Sequence, residues 1–266
     1  MINLLLAGVG GQGTVLAAKV LAKAAQAKGW QVRTAETIGM AQRGGSVTSH
    51  VRMESCGEEV LAPLVTKGTA NVVIAFEPGE AARALPFLAL EGMLVSATSA
   101  IQPVTAALAG TPYSGSAVVE QLERSLEGSG VLFVPVDDQA LVQAAGNRKA
   151  LNMMLLAVAV AQNRIPISLD ELKAAVEACV KPQFVAMNLA AIDLPAACCL
   201  PGVCPGLFPF AHVVKYVNVP LTRWHTPSMS ILLAALLRDT LPLPACPRWG
   251  CARKLDTAGT PLLRRG

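Results

Sequence analysis

The sequence predicts an α/β fold: a Rossmann-like, open, mostly parallel sheet with helices on both faces, followed by an irregular C-terminal extension. Three observations carry this expectation. Residues 2–7 form a short uninterrupted apolar run that leads into a glycine-rich turn and then a helical pattern, as a buried parallel strand feeding a helix does. Short apolar runs and helical stretches then alternate along the chain to about residue 195, the pattern of a layered α/β protein. Composition is the third. Of 266 residues, 53% are hydrophobic, 15% charged and 4% aromatic, with 22 glycines. That balance excludes general disorder and suits many tight turns better than a β-sandwich.

Each element has its own signal. After the strand at 2–7 and the turn at 8–13, residues 14–28 place Val15, Ala18, Leu21 and Ala22 on one helical face and Lys19, Lys23 and Lys28 on the other. Gly29 ends this helix, and residues 30–36 alternate as a second strand. Together they make a βαβ unit of the size expected for a right-handed crossover. Residues 46–53 alternate like a strand with one solvated face, and 71–76 like a buried strand. Glu77-Pro78-Gly79-Glu80 opens a helix whose first-turn acids suit the helix dipole. Residues 93–97 predict a strand, 118–126 a helix and 131–136 a strand, with Asp137-Asp138 capping the next helix to about Ala145. Residues 149–162 are almost wholly apolar, so that helix is buried in the core or against a partner. Ser168-Leu169-Asp170-Glu171 is a capping box that starts a helix, and 181–194 predicts the last one.

The character changes at about residue 195. Ten of the eighteen prolines and five of the seven cysteines lie in residues 195–266, where helical periodicity is largely lost. Residues 1–195 are therefore expected to form the folded domain, and 196–266 a basic, Pro/Cys-rich, poorly ordered extension. The domain carries 14 Lys/Arg against 16 Asp/Glu and the extension 8 against 2. A mildly acidic domain predicts no nucleic-acid surface. The odd, irregularly spaced cysteines form no secreted disulfide framework. The first residues lack the basic start of a targeting segment, and the uncharged stretches at 92–119 and 194–214 are too rich in Gly and Pro to span a membrane. A soluble, cytoplasmic protein is expected.

Gly8-Val9-Gly10-Gly11-Gln12-Gly13 satisfies G-x-G-x-x-G. Its glycines allow a tight strand-to-helix turn and turn backbone N–H groups toward a helix N-terminus, where a phosphate is favoured. Glu36 follows 23 residues after Gly13, where a ribose-binding acid would stand in a dinucleotide fold. By itself this points to an NAD(P)-dependent dehydrogenase, or to a tight turn whose anion site is empty or filled by a partner. The polar loop at 37–46 adds one fixed cation, Arg43, beside Gly44 and Gly45. A loop of that composition suits an anionic ligand or docking onto another protein's active site, or else is a flexible hinge. His50 suits a structural or partner-contacting role better than a general base, and Glu77 stands at a strand edge where ligands bind in open α/β sheets.

The glycine loop, Gly39-Met40-Ala41-Gln42-Arg43-Gly44-Gly45-Ser46 and Ala75-Phe76-Glu77-Pro78 together resemble the 2-oxoacid:ferredoxin oxidoreductases, in particular their gamma-type subunit and the small (beta) subunit of indolepyruvate ferredoxin oxidoreductase. The resemblance runs from about residue 2 to 195 and includes a closing helix of the type Lys181-Pro182-Gln183-Phe184. It implies oxidative decarboxylation of a 2-oxoacid to acyl-CoA and CO2, with electrons passed to ferredoxin. This chain has no thiamine-binding Gly-Asp-Gly motif and no C-x2-C-x2-C-x3-C run. The spacings of Cys198, Cys199 and Cys204, and of Cys246 and Cys251, fit neither a cluster nor a tetrahedral zinc site. The resemblance therefore implies that thiamine diphosphate, Mg and 4Fe-4S clusters sit on a large partner subunit, with coenzyme A as co-substrate. On this chain Gly8, Gly10, Gly11, Gln12, Gly13, Gln42, Arg43, Gly44, Gly45 and Ser46 are expected to contact the coenzyme A phosphates or the partner's docking edge, and no metal is expected. A dehydrogenase and a noncatalytic assembly module remain as alternatives.

Overall fold

The computed structural model describes residues 1–39, 45–102 and 113–198. In chain order these form β1 (Ile2–Val9), α1 (Thr14–Ala27), β2 (Gln31–Ile38), β3 (Ser46–Glu54), β4 (Ala70–Ala75), α2 (Pro78–Ala84), β5 (Leu88–Ala97), α3 (Gly115–Leu126), β6 (Leu132–Val136), α4 (Asp138–Ala145), α5 (Leu151–Ala161), α6 (Leu169–Cys179) and α7 (Pro182–Cys198). Single 3-10 turns precede β5 (Leu85–Phe87) and α5 (Arg148–Ala150). The expectations placed on Gln42, Arg43, Gly44 and most of the extension lie outside the described residues. Two elements outrun their sequence signals by the most. β5 starts at Leu88 rather than Met93, with a register shift opposite Ala70 and Val72, and α7 continues past Pro195.

The six strands form one sheet in the order β2-β3-β1-β4-β5-β6. β1, β4, β5 and β6 run parallel, as expected. The first βαβ unit differs from its sequence reading, because β2 is not the neighbour of β1. β3 folds back from β2 as a hairpin and fills the place between them, antiparallel to both, with Val47 opposite Ile38 on one side and Gly8 on the other. β3 keeps the expected alternation inside the sheet: Ser46, Thr48 and Arg52 are half-buried on one side, and Val47, Ser49, Val51 and Met53 are buried on the other. His50 is buried although it lies on the half-open side, and the fuller exposure falls on the edge strand β2. Periodicity records which residues alternate, but not which strand is the edge.

Helices cover both faces. Leu4, Leu6, Met53, Ile74, Met93 and Val95 point toward α1, α4, α5, α6 and α7, while Leu5, Ala7, Val73, Ala75 and Leu94 point toward α2 and α3. α5 is the central layer of the thicker face, and all ten residues from Leu151 to Val160 are buried. This places the almost wholly apolar helix in the core, where each large apolar side chain contributes about 1.5–3 kcal/mol relative to exposure. α6 begins with the predicted capping box: Ser168 Oγ accepts from Glu171 N at 3.2 Å, and Glu171 Oε2 accepts from Ser168 N at 2.7 Å.

Candidate functional site

The C-terminal ends of the parallel strands bring the chemistry-bearing residues together, at the edge where open α/β sheets bind ligands. Gly8 is the seventh residue of β1, and a side chain there would meet Gln12 at 2.7 Å and Thr14 at 2.9 Å. Gly11 and Gly13 adopt φ of +101° and +82°, left-handed values that disfavour any residue with a Cβ. Gln12 pins the turn from inside: its Oε1 accepts from Val9 N at 2.6 Å and its Nε2 donates to Phe76 O at 3.1 Å. Gly13 is the N-cap of α1. No side chain caps this helix and no acid occupies its first turn, so its positive dipole end is not neutralised by its own sequence.

The β2–β3 hairpin docks onto this loop. Gly39 N donates to Ser46 O at 2.8 Å, and Gly10 N donates to Gly45 O at 2.9 Å. Ser46 Oγ donates to Glu80 Oε2 at 2.6 Å, and Glu80 also accepts from Arg83. Glu77 is the N-cap of α2, where its Oε2 accepts from Glu80 N at 3.1 Å and its Oε1 from the Tyr113 hydroxyl at 2.5 Å. Burial, together with the bond to Glu77, pushes the Tyr113 phenol well above its usual pKa. Farther along the edge, the buried Asp138 accepts from Thr98 N at 3.2 Å, Ser99 N at 2.8 Å and the Ser99 hydroxyl.

Of the residues expected at the site, Gly8, Gly10, Gly11, Gln12, Gly13, Gly45 and Ser46 converge at this edge. The sequence reading missed Asn152, Glu80, Tyr113 and Asp138 as residues of this edge. Asn152 left a signal, being the lone polar residue of α5. It is buried and its Nδ2 donates to Gly13 O at 3.2 Å. The ribose-acid expectation for Glu36 has lost its geometry. Glu36 is exposed on β2, two strand spacings, or roughly 10 Å, from β1. In a dinucleotide fold the acid-bearing strand adjoins the glycine-loop strand. Here β3 intervenes.

His50 is structural. It is 4% exposed, its Nδ1 accepts from Val65 N at 3.1 Å, and its ring meets Phe87 edge-on at 6.0 Å. The accepting Nδ1 places the proton on Nε2 of a neutral ring, and burial holds its pKa below the usual imidazole value. As pH falls through about 6.5 the unfolded chain binds a proton that the native state refuses, so stability falls with pH by up to about 1.4 kcal/mol per unit. Urea titrations between pH 7.5 and 5 should show this slope flattened in His50→Asn, which keeps an acceptor for Val65 N. An unchanged slope would mean that another group is responsible.

Among the described residues, no three His, Cys, Asp or Glu side chains are grouped to hold a metal ion, and no helix is long and apolar enough to cross a membrane. The chain is similar to indolepyruvate oxidoreductase subunit IorB of Archaeoglobus fulgidus, with 34% identity over 195 residues, which span 73% of this chain and 92% of that one. In structure it is similar to the gamma subunit of a keto/oxoacid ferredoxin oxidoreductase from Geobacter sulfurreducens, with TM-score 0.51, 19% identity, and coverage of 73% of this chain and 95% of that chain. It is also similar to part of a 2-oxoglutarate:ferredoxin oxidoreductase from Magnetococcus marinus, determined with 2-oxoglutarate, coenzyme A and succinyl-CoA bound (TM-score 0.54, 20% identity, 74% of this chain and 30% of that chain). The family model of pyruvate ferredoxin/flavodoxin oxidoreductase matches residues 3–197; the chain therefore belongs to that family, as a small subunit of a 2-oxoacid:ferredoxin oxidoreductase.

Proposed function

We propose that this chain is the small subunit of an indolepyruvate, or other aryl-pyruvate, ferredoxin oxidoreductase, and that a large partner subunit carries thiamine diphosphate, Mg and the 4Fe-4S clusters. The observation that supports the substrate most directly is the 34% identity to an indolepyruvate oxidoreductase subunit across nearly all of that protein's length. The two cysteines among the described residues do not fit an iron–sulfur cluster: Cys56 is exposed after β3 and Cys179 is half-buried at the end of α6, with no metal-ligand group among the described residues. The chain's contribution is the sheet edge, where the uncapped start of α1 and the backbone of the glycine loop favour an anion. We assign that edge to the phosphates of coenzyme A.

Co-expression with the large subunit tests the reading. The complex should reduce a viologen dye in the presence of indolepyruvate and coenzyme A, with a kcat/KM at least about tenfold above that for pyruvate, which corresponds to about 1.4 kcal/mol of discrimination. The isolated chain should be colourless and inactive. Dye reduction by the chain alone, or iron–sulfur absorbance in it, would overturn the proposal.

A further inference from the structure

We propose that Glu77-Pro78-Gly79-Glu80 is a two-pronged clamp that positions the glycine loop, with Glu80 holding Ser46 and Glu77 holding Tyr113; the functional part of this inference rests on the assignment of the loop to coenzyme A. Two carboxylates, 3% and 2% exposed, stand at the start of one short helix. Burying a carboxylate costs several kcal/mol unless its oxygens are satisfied, and apolar residues of similar volume would hold α2 to the sheet without that cost. The bonds of the two acids run toward the crevice. Glu80 accepts from the first residue of β3, directly after Gly45, whose carbonyl receives the N–H of Gly10. Glu77 accepts from Tyr113, which lies just ahead of α3. The same helix start is tied to the loop a second time, because Gln12 donates to the carbonyl of Phe76, the residue before Glu77.

The two residues between the acids fit the same role. Pro78 occupies the first helical position, where the absent N–H would have had no partner. At Gly79 a side chain would stand 2.6 Å from the Tyr113 hydroxyl and 3.0 Å from Glu77, so the glycine makes the space into which the phenol reaches. Charge-assisted bonds of this kind give geometry as well as energy, and a network satisfied at every member rigidifies what it holds. Ser46, Glu80, Glu77 and Tyr113 are positioning residues. Ser46 and Glu80 act on the ligand through the backbone of Gly45 and Gly10, and Glu77 and Tyr113 act one step back, by fixing the helix start that carries Glu80.

The test uses the co-expressed complex and three variants that each remove or neutralise one prong: Ser46→Ala, Tyr113→Phe and Glu80→Gln. Ser46→Ala and Glu80→Gln should raise KM for coenzyme A about tenfold, the loss expected for one charge-assisted hydrogen bond, with kcat within about twofold. Ser46→Thr should restore it. Tyr113→Phe should give a smaller rise, and combining it with Ser46→Ala should give less than the product of the two, as members of one network do. Arg124→Ala, on the exposed face of α3, serves as the unaffected control. Amide hydrogen exchange on the isolated full chain supplies a readout independent of activity: the Gly10 amide should exchange at least about tenfold faster in Ser46→Ala. Unchanged exchange at Gly10 overturns the clamp. Faster exchange without a change in KM leaves the clamp standing and removes coenzyme A from the loop, and a lowered melting temperature with both readouts unchanged shows ordinary structural bonds and overturns the proposal.

Discussion

Gly13→Ala is expected to lower the unfolding free energy by about 2–4 kcal/mol, one of the two largest effects of any single substitution at the crevice. Gly13 caps α1 at φ +82° and ψ +24°, and placing an L-residue in that left-handed region costs about 1–2 kcal/mol. The new methyl would stand 2.6 Å from Nδ2 and 3.2 Å from Cγ of Asn152. Asn152 cannot swing away cheaply. It is buried at the start of a helix whose next eight residues are buried as well, and its amide already donates to Gly13 O. Displacing it leaves the buried Asn152 amide without a partner, while Gly13 O keeps its bond from Ala17 N; the lost bond adds about 1–3 kcal/mol. Urea unfolding of Gly13→Ala, Asn152→Ala and the double variant separates the two causes, because the double variant should recover the clash but not the backbone strain. A loss below about 1 kcal/mol in Gly13→Ala would show that the turn relaxes freely, contrary to its pinning by Gln12.

Asp138→Ala should cost a similar amount, about 2–4 kcal/mol, for a different reason. Asp138 is 1% exposed and receives Thr98 N, Ser99 N and the Ser99 hydroxyl. Alanine would leave Ser99 N and the Ser99 hydroxyl without their acceptor at the end of β5, while Thr98 N keeps its bond to Val136 O. The neighbouring Asp137 already serves as the cap of α4, accepting from Ala140 N at 3.0 Å, so it cannot substitute. Asp138→Asn keeps one acceptor oxygen and should lose roughly half as much. Guanidinium midpoints for the three proteins, with slopes held common, check the order. Equal stability of wild type and Asp138→Ala would mean that solvent reaches the turn after all.

Both predictions concern residues that hold the crevice edge in shape; Gly13 belongs to the loop assigned to coenzyme A, whereas Asp138 has no role assigned in the chemistry. In a subunit whose proposed part is to present a preformed backbone surface, the distinction matters for reading variants. Loss of activity after Asp138→Ala would report loss of the fold, and loss after Gly13→Ala would combine loss of the fold with a changed loop. The Ser46 and Glu80 variants alter the loop while leaving the core untouched, and they are the ones that can report on binding.

The alternation of strands and helices was legible in the sequence because it rests on short-range physics. The apolar run before the glycine loop, the N-cap acids Glu77 and Asp137, and the reciprocal Ser168–Glu171 box all act within four residues. So does the left-handed turn that Gly11 and Gly13 allow. Much of the candidate site was legible for the same reason, since Gly8, Gly10, Gly11, Gln12 and Gly13 form one continuous turn. The place of β3 was not legible. Its alternation was present, but an interior and an edge strand share that period, and a hairpin return can pair on either side of its predecessor. Once β3 lay between β1 and β2, Glu36 was carried to the outer edge and the dinucleotide reading lost its ribose contact.

What the sequence by itself determined is therefore the set of elements, their caps and the turn that opens the crevice. Only the tertiary structure decided the strand order and which polar groups meet: Ser46 with Glu80 across 34 residues, Tyr113 with Glu77 across 36, and Asn152 with Gly13 across 139. Such pairings depend on where packing of the two sheet faces places each side chain and on how far that side chain reaches. Local periodicity encodes the direction in which a residue faces its own element, and carries no record of the partner that the folded chain brings opposite it.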